Sequence, residues 1–291
     1  MAAVGYAASL PITQEQSLFE FETLMPRPGE RDLLVAVKAV SVNPVDVKVR
    51  MRKQGTQAHP VILGWDAAGI VEAVGRDCSL FRPGDQVYYA GNINRPGTNA
   101  QFHLVDERIV GRKPKSIGFP QAAALPLTTI TAWELLFDRI GARRGAGAER
   151  RSLLVVGGAG GVGSIAIQLA RQLTGLTVIA TASRPSTRDW VKGLGAQHVI
   201  DHSQPFAPQL KAAGFASVDI VLALTGTQRN AAQIVDVISP LGRLGMIEGV
   251  ESLRAFDAAA LWAKLRQHPS GADVHPVELC HPGHDRAASA A

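Results

Sequence analysis

The sequence predicts an α/β protein of two domains, an antiparallel β-barrel-like domain followed by a doubly wound parallel sheet. Three observations predict it. Strand-like runs broken by turns fill the stretch from about Leu33 to Pro114, strand and helix patterns alternate after about Phe119, and a glycine-rich turn spans Gly157 to Gly163.

In the first half, "LLVAVKAVSVN", "VILGWDAAGIVEAVG", "QVYYAG" and "AQFHLVDERIVGRKP" read as strands and leave room for few helices. "FRPGDQ" sets Pro83 and Gly84 at the centre of a type II turn, where proline presets φ and glycine accepts the positive φ that follows. "PQAAALPLTTITAWELLF" then has helical spacing on either side of Pro126.

In the second half, "LLVVGG" precedes the helix "VGSIAIQLARQL", "TVIATAS" precedes "STRDWVKGLG", and "HVID" leads into a polar connection. "VDIVLAL" precedes "QRNAAQIVDVIS", and "RLGMIEG" closes the series. Short apolar runs joined by single helices require right-handed crossovers, and so a parallel sheet covered on both faces. The expected boundaries are 1–118 for the first domain, 119–264 for the second and 265–291 for an irregular tail rich in His and Pro.

The 291 residues are 46% hydrophobic, enough for packed cores. The formal charge of +5 is dispersed, without a basic block or interleaved aromatic stripe, which argues against nucleic acid as a partner. No apolar run has membrane-spanning length and no secretory leader opens the chain, so a cytoplasmic location is expected. Its two cysteines, Cys78 and Cys280, suit neither a disulfide framework nor a metal knuckle.

Gly158, Gly160 and Gly163 satisfy G-x-G-x-x-G in the required context, a strand before and a helix after. Bare backbone at Gly158, Gly160, Gly161 and Gly163 lets a pyrophosphate approach main-chain N–H groups, that of Val162 among them, at the positive end of a helix. The end of the next strand, "ATASRPSTR", lacks the carboxylate that would hold an NAD ribose. Ser183, Arg184 and Arg188 stand there instead and offer a hydroxyl and cations to a 2′-phosphate, so the expected cofactor is NADPH.

The chain resembles the medium-chain dehydrogenase/reductase superfamily from about Met1 to Lys264. The long segments "SVNPVDVKVR", "GWDAAGIVEAVG", "AGNINRPGTNAQFHLVDERIVGRKP" and "LPLTTITAWELLFDRI" look like its zinc-type alcohol dehydrogenase-like branch, close to the quinone oxidoreductases. The resemblance implies a GroES-like catalytic domain before a Rossmann domain, and a homodimer.

Zinc members of the superfamily carry a catalytic cysteine where this sequence has Asn43, and Gly-His-Glu where it has Gly64, Trp65 and Asp66. An asparagine and a tryptophan cannot replace thiolate and imidazole around zinc, so no metal is expected. His59 and His103 read as structural hydrogen-bonders. Without a Lewis acid, acceptors that spread charge over a conjugated system are favoured, and the expected reaction is reduction of quinones or α,β-unsaturated carbonyls. A catalytically silent NADPH-binding protein and a zinc alcohol dehydrogenase are the alternatives.

By resemblance, Asn43 faces the nicotinamide end and holds a cofactor or substrate oxygen by its amide, Thr131 lies near the carboxamide, and Thr128 assists. Lys48 either steadies developing charge or is a solvent-facing strand lysine. Trp65 with Asp66, and more weakly Tyr89, either wall a flat substrate pocket or belong to the core.

One codon assignment for Arg266 to Glu278, read one base forward, spells V-S-I-H-L-E-L-M-F-T-R-S, close to the segment that follows the last Rossmann strand in relatives. A frameshift near Lys264 is therefore expected, with Cys280, His281 and His284 an accidental cluster.

Overall fold

The computed structural model describes residues 1–52, 55–145, 151–248 and 250–266. The expected tail therefore lies outside the described residues from 267 onward, and with it Cys280, His281 and His284. The chain divides into two compact units, the first Met1–Leu127 and the second beginning at Thr128.

The first unit contains β1 (Ala2–Tyr6), β2 (Phe19–Glu22), β3 (Asp32–Ser41), α1 (Pro44–Arg52), β4 (Val61–Ile62), β5 (Asp66–Val74), β6 (Gln86–Ala90), β7 (Phe102–Asp106), β8 (Val110–Arg112) and α2 (Phe119–Ala123). An antiparallel five-stranded sheet runs β7-β3-β5-β6-β8, beside a three-stranded sheet β2-β1-β4. Alternate residues of its strands, Leu33, Val35, Ala67, Val71, Val87, Tyr89 and Val105, form a core on one face. The Pro83-Gly84 turn takes its expected form: Gly84 has φ 92° and the Asp85 N–H bonds the Arg82 carbonyl at 3.1 Å.

In the first unit one element departs from the sequence reading. Lys48 lies on helix α1, not on a strand, although Val45, Val47 and Val49 alternate with polar residues as a strand would. Helix start signals override that alternation: Pro44 occupies the first helical position, and the Asp46 carboxylate reaches back to the Asn43 N–H at 2.8 Å.

The second unit takes up α3 (Pro126–Trp133) from Thr128 on, continues through a π-helical segment Glu134–Arg139, and then alternates. Its elements are β9 (Ser152–Val156), α4 (Gly161–Leu173), β10 (Thr177–Thr181), α5 (Pro185–Gly193), β11 (His198–Ile200), α6 (Phe206–Ala212), β12 (Val218–Ala223), α7 (Thr227–Val237), β13 (Ile238–Met246) and α8 (Ala258–Arg266). The sheet order is β11-β10-β9-β12-β13, parallel throughout. That order reverses direction between β9 and β12, the position where doubly wound sheets bind ligands.

β9 is buried along its whole length, and its residues divide between two cores. Leu153 and Val155 join the face covered by α4 and α5, whereas Leu154 and Val156 join the face covered by α6 and α7. Helix α6 replaces the polar connection expected after "HVID": Pro205 and Pro208 fall at its start, where proline costs no hydrogen bond, and Phe206 and Leu210 bury one face. Residues 258–266, at the edge of the expected tail, are helical.

Candidate active site

The glycine turn joins the end of β9 to the start of α4, and all but one of its glycines have a steric reason. A Cβ on Gly163 would lie 2.3 Å from the Gly157 carbonyl oxygen and 2.8 Å from the Gly158 Cα, so helix and turn touch there through bare backbone. A Cβ on Gly158 would meet the Ala180 Cβ at 2.9 Å, and one on Gly161 would meet the Thr128 methyl at 2.9 Å. Gly160 caps α4 with extended backbone and has no such crowding, a Cβ there lying 3.3 Å from the Gly157 oxygen.

The N–H groups of Gly161, Val162 and Gly163 open a helix of 13 residues and have no acceptor within its ladder. The turn is tied to β10 by the Gly157 N–H, which donates to Thr181 Oγ1 at 3.0 Å. Thr128, expected at the cofactor, packs against this turn, whereas Thr131 is half-buried one helical turn further along α3. Thr181 and Thr225 were not legible as site residues: Thr225 crowds Gly157, whose φ is 87°, from the end of β12. Glu248, also unanticipated, accepts the Gly226 and Thr227 N–H groups at 3.2 and 2.8 Å and so caps α7.

Past β10, Ser183 is half-buried and Arg184 is exposed at the cap of α5. Arg188 is turned inward, donating to the carbonyls of Ala182 and Val199 at 3.3 and 3.4 Å. Among the described residues, the Arg184 guanidinium has no hydrogen-bond partner, so the two arginines are not equivalent.

In the first unit, Asp66 opens β5 opposite Ser41 of β3, and Asn43 follows two residues after that strand position. Gly64, with φ 91°, turns the chain into β5, and its missing Cβ leaves room for the side chains of Thr98 and Asn99. Asp66 is fully buried. One carboxylate oxygen accepts from Asn43 Nδ2 at 2.8 Å, the other from the Leu127 N–H at 2.9 Å. Burial pushes the Asp66 carboxyl up to about 6 against those two donors, with a smaller push from Asp46. Asp46 is itself raised by burial, and its Oδ1 has no partner among the described residues.

Two expected pocket walls are core residues. Trp65 is 4% exposed, packs with Tyr6 and Leu63, and donates its indole N–H to the Asn92 carbonyl at 3.1 Å. Tyr89 is 2% exposed, and its hydroxyl bonds His103 Nδ1 at 3.0 Å, so no substrate reaches it. Alternation along β6 sends Tyr89 to the inner face, a distinction that a pair of adjacent tyrosines conceals. Burial pushes the Tyr89 hydroxyl well up and lowers His103 to about 4, so the ring is neutral, with Nε2 donating to the Pro96 carbonyl at 3.0 Å. Lys48 is exposed on α1 without a polar partner among the described residues.

Residues 29–123 match the model of the alcohol dehydrogenase GroES-like domain, and residues 161–268 match that of the zinc-binding dehydrogenases. The zinc-type alcohol dehydrogenase-like protein SAS2087 of Staphylococcus aureus (strain MSSA476) is 43% identical over 249 residues, 85% of this chain and 73% of that protein. The chain belongs to the medium-chain dehydrogenase/reductase superfamily. A solved structure of a candidate zinc-dependent alcohol dehydrogenase from Rhizobium etli CFN 42 is 53% identical with TM-score 0.86, covering 97% of this chain and 78% of that one. The 2-methylene-furan-3-one reductase of Solanum lycopersicum is 34% identical over 226 residues, 74% of this chain and 55% of that protein. Solved quinone oxidoreductases share the fold.

The superfamily's metal and its nucleotide fit this chain differently. Zinc needs three protein ligands around an open position. Here Asn43 turns its NH₂ group to Asp66, both Asp66 oxygens accept hydrogen bonds, and Trp65 supplies only an N–H. Among the described residues no group of three or more His, Cys, Asp or Glu could hold a metal ion. The donor set does not fit a catalytic zinc. The glycine turn does fit a dinucleotide, because side chains at Gly158, Gly161 and Gly163 would force it off its neighbours, and the Gly161, Val162 and Gly163 N–H groups at the start of α4 have no acceptor within its ladder.

Among the described residues no helix is long and apolar enough to cross a membrane.

Proposed function

We propose that this member of an oxidoreductase superfamily uses NADPH to reduce quinones or α,β-unsaturated carbonyl compounds, without zinc. The observation that carries the reading is the pairing of Asn43 with Asp66 in place of thiolate and imidazole, in a chain that keeps the glycine cradle. The bound cofactor supplies a hydride, and the protein's own groups do the rest.

The N–H groups of Gly161, Val162 and Gly163 hold the pyrophosphate, with Thr128 closing one side of the turn. Ser183 and Arg184 receive the 2′-phosphate, and Arg188 braces the loop by its two backbone contacts. Asn43 and Thr131 orient the reacting groups, and the exposed Lys48 ammonium steadies negative charge from the solvent side. A conjugated acceptor asks less of such groups than an isolated ketone does, since its added charge is already delocalised. The Solanum enzyme, by its name, reduces an acceptor of this conjugated type.

Steady-state oxidation of NADPH with a panel of quinones, enones and simple ketones tests the reading. Turnover of the conjugated acceptors, unchanged after chelation, is expected. Turnover confined to simple ketones, or activity lost to a chelator and restored by zinc, would contradict it. Binding without turnover across the whole panel would favour the silent nucleotide-binding alternative.

A further inference from the structure

The polar cluster at the start of β5 leaves Asn43 with one polarity to offer. Its Nδ2 donates to Asp66 Oδ2 at 2.8 Å and, more weakly, to the Ser41 carbonyl at 3.4 Å. Its backbone N–H goes to Asp46 at 2.8 Å. Among the described residues its Oδ1 accepts nothing. Turning the amide over would bring Oδ1 against an acceptor on both sides, because a carboxylate and a carbonyl cannot donate. Asp66 cannot swing away either, since its second oxygen holds the Leu127 N–H at 2.9 Å.

We propose that Asp66 is a positioning residue that locks the Asn43 amide as a hydrogen-bond acceptor, so that this site recognises an N–H or O–H donor on its ligand. This rests on the functional reading above only in taking Asn43 to face a bound ligand. It reverses the role expected from resemblance, in which the amide holds an oxygen. The developing negative oxygen of a substrate is the wrong partner for Asn43 Oδ1. A carboxamide N–H or ribose hydroxyl of the cofactor, or the hydroxyl of a reduced quinone, is the right one.

The lock can be inverted with one nearly isosteric change. In Asp66→Asn the new amide oxygen keeps the Leu127 N–H, its NH₂ faces Asn43, and the Asn43 amide must turn to present its own NH₂ outward. Combining Asn43→Asp with Asp66→Asn exchanges the two side chains and again presents an oxygen outward. Calorimetric titrations compare wild type, D66N and the exchanged pair, with a single cooperative thermal melt for each as the check on folding. The probes are NADPH, the NADPH analogue whose carboxamide is replaced by an acetyl group, and a hydroquinone.

A donor-recognising site predicts that D66N loses about tenfold or more in affinity for one of these probes and that the exchanged pair recovers most of it. Loss with NADPH but not with the acetyl analogue assigns the donor to the carboxamide. Equal loss with both assigns it to a cofactor hydroxyl, and loss confined to the hydroquinone assigns it to the substrate side. D66N binding every probe as wild type does, or an exchanged pair no better than D66N, would overturn the proposal. A readout independent of ligands is the side-chain NH₂ signal of Asn43 in a ¹⁵N-labelled sample. It should be slow to exchange in wild type and fast in D66N; equal exchange in both would also refute the lock. If wild type ignores NADPH, the functional reading fails, and this exchange measurement still decides the lock.

Discussion

In the second unit the candidate nucleotide cradle is main chain stripped bare at Gly158, Gly161 and Gly163, whereas in the first unit the polar cluster consists of the side chains Asn43, Asp46 and Asp66, removed from water by the fold. The difference teaches where each surface is fragile. A cradle of backbone has no functional group to delete and is damaged only by adding atoms. A cluster of buried side chains is damaged by changing one proton or one oxygen, with little change in volume.

The largest effect is therefore expected from adding a single methyl group. Gly163→Ala places a Cβ 2.3 Å from the Gly157 oxygen, and α4 must move off the turn. Affinity for NADPH should fall about a hundredfold, with a loss of about 3 kcal/mol in stability, read by titration and chemical denaturation. Gly160→Ala is the control for stability, because a Cβ there lies 3.3 Å from its nearest neighbour; if both variants lose stability alike, the steric account of the turn is wrong.

The buried side chains should show in the pH dependence of stability, with two groups pulling in opposite directions. His103 is lowered to about 4, so it is fully stabilising above its unfolded value near 6.5 and loses that contribution as pH falls. Relative to His103→Gln, wild type should lose about 3 kcal/mol between pH 7 and pH 4. Asp66 is raised to about 6, so its contribution is present at low pH and is lost as pH rises through 6. Relative to Asp66→Asn, wild type should lose about 2 kcal/mol between pH 4 and pH 7. Denaturant melts at several pH values separate the two, and parallel curves for all three proteins would show that neither group is perturbed.

A smaller effect is expected past β10. Arg184→Ala should weaken NADPH about tenfold and leave NADH unchanged, as loss of one charge-assisted contact predicts. Arg188→Ala should cost stability instead, since its guanidinium serves the carbonyls of Ala182 and Val199. The smallest belongs to Lys48→Ala. An ammonium in water contributes under about 1 kcal/mol, so kcat/KM should fall less than about fivefold, with an unchanged melting curve.

The glycine turn was legible because its physics is local: a strand, bare backbone and a helix start follow one another in sequence. β9, β10 and β12 were legible for the same reason, each being a short buried apolar run. Helix α1 was not, because Val45, Val47 and Val49 alternate like a strand while Pro44 and the Asp46 cap decide the matter. Trp65 and Tyr89 were ambiguous because burial depends on which face of the sheet a residue takes, and that depends on distant pairing. The Asn43–Asp66 bond spans 23 residues and no spacing rule announces it. Thr181, Thr225 and Glu248 reach the cradle or its neighbouring helix from later strands, which only the folded sheet brings beside it.

The central claim is a backbone cradle for a phosphorylated nicotinamide dinucleotide in a chain whose polar cluster suits no zinc. Paired calorimetric titration of one metal-analysed sample with NADPH and with NADH tests it most directly. Both should bind, NADPH at least about tenfold tighter, in protein carrying no stoichiometric zinc. A folded sample that binds neither nucleotide, prefers NADH, or carries one zinc per chain would contradict it.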